Sequence, residues 1–291
     1  MVPFLLAAAA FLQTPAITLL DTAVIRSARA HESSGLAPSR RYPGHFWTIN
    51  DSDNEPLLLG LDSAGADRGF VRVRGARNID WEDLALGPCP RRQDSCLFIA
   101  DIGDNYSRRH SVIIYIVPEP EAPTSPSDTL REAAVLDSIV LRYPDGRHDA
   151  EALAITPDRW LLVITKDRAE TPKLYRTPLD STGPRRRLTL VGELPIATGM
   201  VRGRLVTGAA VAPGGRWLAV RTYVSIHLFR LSQSGQTETL LPRGGIVIPV
   251  VEMQGEAISF DRDDRLVLSS ERGREGHAIM TRLRISALPS P

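Results

Sequence analysis

One sequence element recurs five times along the chain, and this repeat constrains the fold more than any other feature. Each copy begins with Glu or Thr, continues with small and apolar residues, and in four copies reaches Pro six positions later. The copies occupy residues 32–38, 82–88, 151–157, 207–213 and 256–262, so their starts lie 50, 69, 56 and 49 residues apart. A period of this length, with short apolar runs in each repeat, is typical of propeller blades.

Three more short apolar runs follow the element in each of the first four copies, and two follow it in the fifth. Four short strands per repeat predict an all-β fold: a β-propeller of five blades with four antiparallel strands each. The strand-like residues 17–25 are expected to supply the missing fourth strand and close the ring. Six blades are the alternative if the 69-residue copy, with its proline-rich residues 118–126, contains extra strands. Residues 128–136 are the one candidate for a helix.

The N-terminus resembles a secretory signal peptide. The apolar residues 4–12 are too few to span a bilayer, which takes about 20 residues, and the small residues Thr14 and Ala16 follow them. This pattern predicts a signal peptide over residues 1–16 and a single propeller domain over residues 17–291, in a secreted or periplasmic protein. After removal of the signal, no membrane insertion is expected. The basic segment that usually precedes the apolar run is missing, and a buried strand is the alternative.

The two cysteines, Cys89 and Cys96, flank residues 90–95 between two strand-like runs. A hairpin there would bring the two side chains within bridging distance. In an exported chain such a closely spaced pair suggests a disulfide, whereas two free buried thiols are the alternative for a cytosolic protein. The spacing and the count exclude a CxxC redox motif and a zinc ligand set.

Several motifs, taken together, carry a resemblance to a known group of proteins. They are Glu32-Ser-Ser-Gly-Leu-Ala-Pro with Trp47-Thr-Ile-Asn-Asp, Asp80-Trp-Glu-Asp with Ile99-Ala-Asp-Ile-Gly-Asp-Asn, Tyr143-Pro-Asp-Gly with Asp149-Ala-Glu-Ala-Leu, and Gln254-Gly-Glu-Ala. The chain resembles a largely uncharacterised family of secreted bacterial β-propellers, which is similar to the propellers labelled esterase-like phytase or lactonase-like. That resemblance implies a calcium-dependent hydrolase, although a fold does not by itself determine a function.

The repeat also predicts which side chains meet at one end of the central channel. The first strand of each blade lines the channel and the second returns beside it, so the start of strand one lies next to the end of strand two. The residues placed together in this way are Glu32 with Asn50 and Asp51, Glu82 with Asp101, Glu151 with Lys166 and Asp167, Thr207 with Arg221, and Glu256 with Glu271.

So many carboxylates around one channel repel one another unless a positive charge balances them. A hard divalent cation with oxygen ligands would do so, and calcium fits a flexible carboxylate-rich set better than magnesium. The predicted metal ligands are Glu32, Glu82, Glu151, Glu256, Asp51 and Asp101. The predicted ligand-binding residues are Lys166, Arg221 and Asn50, with the two cations facing an anionic substrate group. The alternative is a solvated acidic ring balanced by salt bridges and water.

His31 and His148 are the candidates for a general base near neutral pH, with hydrogen-bonded rim histidines as the alternative. The chain contains no Gly-x-Ser-x-Gly nucleophile motif and no phosphate-binding glycine loop. The sequence therefore predicts a metal-dependent hydrolase of small esters, phosphoesters or lactones. A non-catalytic module that binds a cell-surface ligand or a partner protein is the alternative. The net charge of +1 indicates no nucleic-acid partner, and a monomer is expected.

Overall fold

The computed structural model describes residues 16–286, apart from residues 93, 127–130, 167, 169, 182, 197–199, 232–244, 251, 253 and 273–275. The predicted signal peptide thus lies outside the described residues except for Ala16, which begins the first strand. In chain order the strands are β1 (Ala16–Ile25), β2 (Ser33–Pro38), β3 (His45–Asn50), β4 (Leu57–Asp62), β5 (Asp67–Arg74), β6 (Trp81–Pro88), β7 (Ser95–Asp101), β8 (Val112–Pro118), β9 (Glu132–Ala134), β10 (Asp137–Arg142), β11 (Ala150–Ile155), β12 (Trp160–Thr165), β13 (Lys173–Pro178), β14 (Arg185–Arg187), β15 (Thr189–Glu193), β16 (Val206–Val211), β17 (Trp217–Thr222), β18 (Ser225–Arg230), β19 (Ile246–Pro249), β20 (Gly255–Arg262), β21 (Arg265–Ser270) and β22 (Ala278–Ser286). One turn of 3-10 helix covers Val201–Gly203.

These strands form five sheets, and each sheet is one blade of a propeller. From the centre outward the main strands are β2 to β5 in blade 1, β6, β7, β8 and β10 in blade 2, β11, β12, β13 and β15 in blade 3, β16 to β19 in blade 4, and β20, β21, β22 and β1 in blade 5. The first strands of successive blades contact one another in sequence order, and β20 contacts β2, which closes the ring. The predicted five-bladed propeller is confirmed.

The N-terminal strand completes the fifth blade, as its position before the first repeat predicts. β1 pairs antiparallel with β22 from Ala16 opposite Ser286 to Ile25 opposite Ala278, with a bulge between Leu19 and Asp21. Its backbone thereby covers the outer edge of β22, which would otherwise present unpaired N–H and C=O groups.

The long second repeat adds a strand to a neighbouring blade rather than a sixth blade. Its strand β9 pairs in parallel with β5, the outer strand of blade 1, and β14 of blade 3 pairs in the same way with β10 of blade 2. The helix predicted over residues 128–136 is therefore wrong at Glu132–Ala134, which form β9. The exposed edge of β5 offers hydrogen bonds that a local helical preference cannot match.

The hydrophobic core is divided into five apolar clusters, one between each pair of adjacent blades. The second strands are packed on both faces, so that β3 and β17 are buried at every residue. This explains why the chain shows continuous apolar runs rather than a clear alternation. Trp47 and Trp81 are completely buried in the cluster between blades 1 and 2, where they pack between the blades.

The predicted disulfide between Cys89 and Cys96 is present in the hairpin that joins β6 to β7, where the two Cα atoms lie 4.9 Å apart. Both cysteines are fully buried. A disulfide indicates an oxidising, extracellular type of compartment. Among the described residues, no helix has the length and apolar character needed to cross a membrane.

Candidate functional site

A break in strand pairing sets the position of the repeated glutamates. The first strand of every blade loses its register with the second strand near the same end of the channel. In blades 2, 3 and 4 a single residue occupies the break, namely Glu82, Glu151 and Thr207, and in blade 5 Glu256 lies within it. A β-bulge leaves its extra residue out of the ladder and redirects the side chain. The three glutamates are almost completely buried and lie close enough to repel one another.

Among the described residues, Asp51, Asp80 and Glu82 form an acidic group at this end, and one carboxylate oxygen of each lies within 4.8 Å of the others. Asp51 directly follows β3, Asp80 directly precedes β6, and Glu82 occupies the β6 bulge. Backbone forms one wall of this group. A Cβ atom at Gly103 would lie 2.2 Å from Glu82 Oε1 and 2.5 Å from Asp80 Oδ2, so a larger residue there would displace these two carboxylates.

The electrostatics of these carboxylates favour a bound cation. Burial raises the pKa of Asp80 to about 7, and repulsion by Asp51 and Asp149 adds to the effect. Burial, followed by repulsion from Glu151 and Asp51, raises the pKa of Glu82 well above its usual value. Burial also raises the pKa of Asp51. A positive ion among them would reverse these shifts, because opposite charge favours the ionised form.

The donor set fits calcium. Calcium binds six to eight oxygen ligands, which include carboxylates, backbone carbonyls and water, in flexible geometry. Asp51, Asp80 and Glu82 each bring one carboxylate oxygen to the same place, and backbone carbonyls or water can complete such a ligand set. These three residues are therefore the candidate cation ligands.

A cationic and phenolic group lies on the blade 3 and blade 4 side of the same mouth. Lys166 Nζ forms an ion pair with Glu151 and donates a hydrogen bond to Tyr223 Oη at 3.2 Å. Burial alone would lower the pKa of Lys166, but the negative charge of Glu151 and the Tyr223 phenol raise it above its usual value. Lys166 therefore stays protonated. The Arg202 guanidinium lies 4.7 Å from the centre of the Tyr223 ring.

Glu256 and Tyr223 also hold their protons at neutral pH. Burial raises the pKa of Glu256 to about 8, although Lys166 acts in the opposite direction. Burial, with repulsion from Glu256, raises the pKa of Tyr223 to about 12. A buried carboxylic acid that holds its proton near pH 7 can donate it to a reacting group.

Glu32 does not join the buried carboxylates. Its side chain is 48% exposed at the rim and accepts a hydrogen bond from Asn54 Nδ2 at 2.7 Å. In blade 1 the register break takes in Ser34 and Gly35, and the strand starts at Ser33, so Glu32 precedes the ladder. Small residues are needed at this break, since a Cβ atom at Gly35 would lie 2.3 Å from the backbone nitrogen of Leu84.

Asp101 lies beside the candidate cation ligands but already has a counter-charge. Its fully buried carboxylate pairs with Arg109 at 2.7 Å. Burial raises the pKa of Asp101, and Arg109 opposes that shift. The arginine therefore does locally what a metal ion was predicted to do.

The side chains of Arg221 and Asn50 form hydrogen bonds with backbone groups of the protein. Arg221 is 1% exposed, donates to the carbonyls of Ala257 at 2.6 Å and Ser269 at 2.8 Å, and pairs with Glu252. Asn50 donates to the carbonyl of Arg29 at 2.6 Å and accepts from the N–H of Glu32 at 3.3 Å. This burial leaves Arg221 no surface that a ligand could contact.

Neither candidate histidine belongs to the group of Asp51, Asp80 and Glu82. His31 is half exposed on the rim, with Nδ1 2.9 Å from the carbonyl oxygen of Arg29. His148 is buried against Tyr143 and Tyr175, and its Nε2 lies 3.2 Å from Asp145 Oδ1. Asp167, which the repeat places next to Lys166, lies outside the described residues.

Three residues of the mouth were missed by the sequence analysis: Asp80, Asp149 and Tyr223. Asp80 could have been predicted from its spacing. It precedes Glu82 by two positions, and alternate residues of an extended segment face the same side. Asp149 lies two positions before Glu151 in the same relation, and its Oδ1 accepts the N–H of Asp104 at 2.9 Å. Tyr223 follows the second strand of its blade and carried no signal in the repeat.

The comparisons with known proteins support the fold. No family model matches the chain, and no curated protein matches its sequence. Among solved structures, the chain is similar to the PQQ-bound form of the aldose sugar dehydrogenase from Streptomyces coelicolor, with a TM-score of 0.52 over 94% of this chain and 98% of that chain. The sequence identity is 12%, so the similarity extends to the propeller architecture and no further.

Proposed function

We propose that the protein binds a calcium ion at the channel mouth and hydrolyses a small ester, phosphoester or lactone there. The observation that carries this proposal is the approach of the Asp51, Asp80 and Glu82 carboxylates to within 4.8 Å of one another at a largely buried mouth. The motif resemblance to esterase-like phytase and lactonase-like propellers supports the same reaction class. We do not propose PQQ as a cofactor of this chain, because a shared fold does not imply a shared cofactor.

In this proposal the residues around the ion have separate roles. Asp51, Asp80 and Glu82 hold the cation, which when bound supplies Lewis acidity and lowers the pKa of a coordinated water. Lys166 presents a permanent positive charge to an anionic part of the substrate. Glu256 holds a proton at neutral pH that it can deliver to a leaving group.

The disulfide and the apolar residues 4–12 support a proposal that the protein is exported and loses residues 1–16. Intact-mass measurement of protein from the periplasm or medium tests this. A mature protein that begins at residue 17 is expected, and a protein that retains its first sixteen residues would contradict the proposal.

Calcium titration of metal-free protein by calorimetry tests the site. Asp80→Asn and Glu82→Gln each keep the side-chain shape, remove a ligand charge, and should weaken binding by roughly tenfold or more. Glu121→Gln is the matched control, because this side chain is 76% exposed outside the mouth. Saturating calcium should also raise the Tm of the wild type, since about 2.7 kcal/mol of stability is gained at a hundred times the dissociation constant. Wild-type protein that binds no calcium would refute the metal site.

Hydrolysis is tested with p-nitrophenyl acetate, p-nitrophenyl phosphate and a γ-lactone, before and after chelation. Activity that disappears with chelator and returns with calcium is expected. The Glu121→Gln control should match the wild type, whereas Asp80→Asn should need more calcium to reach the same rate.

A second candidate function, a non-catalytic binding module, is favoured by one feature of the rim. Tyr106 is 78% exposed, and the guanidinium of Arg108 lies 5.0 Å from its ring centre. This exposed aromatic and cationic surface begins three positions after Gly103, and such residues are enriched at recognition surfaces. Calcium binding without hydrolysis of any ester would support this function, with a small-molecule or cell-surface ligand at the rim.

A further inference from the structure

The outer edge of blade 2 carries a strand made entirely of arginine. β14 pairs in parallel with β10, so that Arg185 lies opposite Val140 and Arg187 lies opposite Arg142. A surface pocket of about 440 Å³ opens at this edge. Its lining residues are Val140, Arg142, Tyr143, Arg185, Arg186 and Arg187.

The two outer arginines of β14 face the same way. Alternate residues of a strand project to the same side, which groups Arg185 with Arg187 and separates them from Arg186. Arg186 is engaged by its own segment, where it donates to the carbonyls of Pro178 at 2.7 Å and Ser181 at 2.8 Å. Arg185 and Arg187 are both exposed.

The positive charge on this side is not balanced by protein carboxylates. Within the part of the chain that the structure describes, Arg142, Arg185 and Arg187 form no ion pair with Asp or Glu. Of these three side chains, Arg187 donates a hydrogen bond to the carbonyl of Pro144 at 2.7 Å. Arg142 and Arg187 are register partners on paired strands, so their like charges repel each other at this edge.

Protection of a sheet edge explains only part of this arrangement. Proteins place charged residues on short edge strands to prevent pairing with other chains. That purpose requires neither a pocket nor two arginines opposite each other. A multiply charged anion in the pocket would remove the repulsion, and the planar guanidinium matches phosphate oxygens with two parallel hydrogen bonds.

We propose that the pocket lined by β10 and β14 is a binding site for a phosphate group, held by Arg142, Arg185 and Arg187. The site lies on the outermost strands of blade 2, whereas the candidate calcium site lies at the innermost strand of that blade. The phosphate belongs either to a small soluble molecule or to the headgroup of an anionic lipid, because both present the same oxygens to the guanidinium groups.

Calorimetric titration of the full chain with pyrophosphate, in low salt and with chelator present, tests the proposal. The wild type should bind, and Arg185→Gln/Arg187→Gln should lose roughly tenfold or more in affinity. Arg230→Gln/Arg262→Gln is the matched control, since it removes two exposed arginines from the ends of strands in blades 4 and 5. An equal loss in the control would show general charge attraction and overturn the proposal, as would wild-type protein that does not bind.

Three further measurements make the test decisive. Thermal unfolding of each variant shows whether β14 still folds, and the single change Arg142→Gln on β10 should weaken binding even if the double variant is destabilised. Co-sedimentation with phosphatidylcholine vesicles, with and without phosphatidylglycerol, identifies the source of the phosphate. Binding to the anionic vesicles that depends on Arg185 and Arg187 indicates a lipid headgroup, whereas binding of pyrophosphate alone indicates a soluble ligand.

Discussion

The carboxylate of Asp83 in blade 2 accepts a hydrogen bond at 3.2 Å from the backbone N–H of Ala209 in blade 4, although blade 3 lies between them in the ring. The same oxygen accepts the N–H of Leu153 in blade 3 at 2.9 Å, and the other oxygen accepts the N–H of Leu84 at 2.8 Å. Asp83 is completely buried. One side chain therefore joins the innermost strands of three blades.

Stability should depend on pH through Asp83. Burial raises the pKa of this carboxyl from 3.8 to about 7, even though its backbone hydrogen bonds lower it. Between those values the folded protein holds a proton that the unfolded chain has released, so the folded state loses stability as the pH rises. Because Asp83→Asn does not titrate, the wild type should gain about 2–3 kcal/mol relative to the variant between pH 8 and pH 5.

Urea unfolding of both proteins at the two pH values measures this difference. Asp158→Asn, at an exposed turn, controls for the general effect of removing one negative charge. A difference between wild type and Asp83→Asn that is the same at pH 5 and pH 8 would contradict the prediction.

The ion pair between Lys166 and Glu151 should show strong energetic coupling. Both side chains are almost buried, and removal of one partner leaves an uncompensated charge, which costs about 3–5 kcal/mol. Lys166→Met should therefore be strongly destabilising, and Lys166→Met/Glu151→Gln should be less destabilised than the sum of the two single changes. Chemical denaturation of the four proteins gives the coupling energy, and additive effects would show that the two groups do not depend on each other.

Deletion of residues 17–25 should open the ring. The deletion exposes the edge of β22, so aggregation or loss of the cooperative unfolding transition is expected. Asp21→Asn is the mild control: it removes only the partly exposed ion pair with Arg282, which should cost less than about 1 kcal/mol. An unchanged melting curve for the deletion would show that β1 does not close the propeller in solution.

The disulfide between Cys89 and Cys96 should stabilise the protein by a modest amount. It closes a short loop, with a sequence separation of 7, and loops of that size yield about 2–3 kcal/mol. Cys89→Ser/Cys96→Ser should lower the free energy of unfolding by that much. In the wild type, unfolding without reductant followed by alkylation should add no label, and the addition of two alkyl groups would show that the thiols are free.

The architecture could be predicted from the sequence because it rests on repetition. A run of similar segments at a nearly constant spacing indicates blades, and the strand-like residues 17–25 matched the strand missing from the last copy. The disulfide could be predicted because Cys89 and Cys96 are close in sequence and lie in one hairpin. None of these features requires knowledge of where a particular side chain points.

The site was harder to predict because it depends on breaks in strand register. The repeat correctly placed Glu82, Glu151 and Glu256 at one end of the channel, but it could not show that the break in blade 1 takes in two small residues and leaves Glu32 on the rim. Arg221 likewise lies at the expected end of its strand, yet its side chain runs between blades to the carbonyls of Ala257 and Ser269.

The antiparallel pairing of β1 with β22 also determines the order in which the molecule can fold. The hydrogen bond from Ser286 to Ala16 joins residues 270 positions apart, whereas the main strands of blades 1 to 4 each come from one continuous stretch of chain. Contacts of such high sequence separation form late, because the entropy of closing a very long loop must be overcome before they contribute. The first four blades contain no strand from the last segment of the chain, whereas the fifth blade cannot be completed until that segment is present. We therefore expect misassembly to arise mainly at the closure between β1 and β22 rather than within a blade.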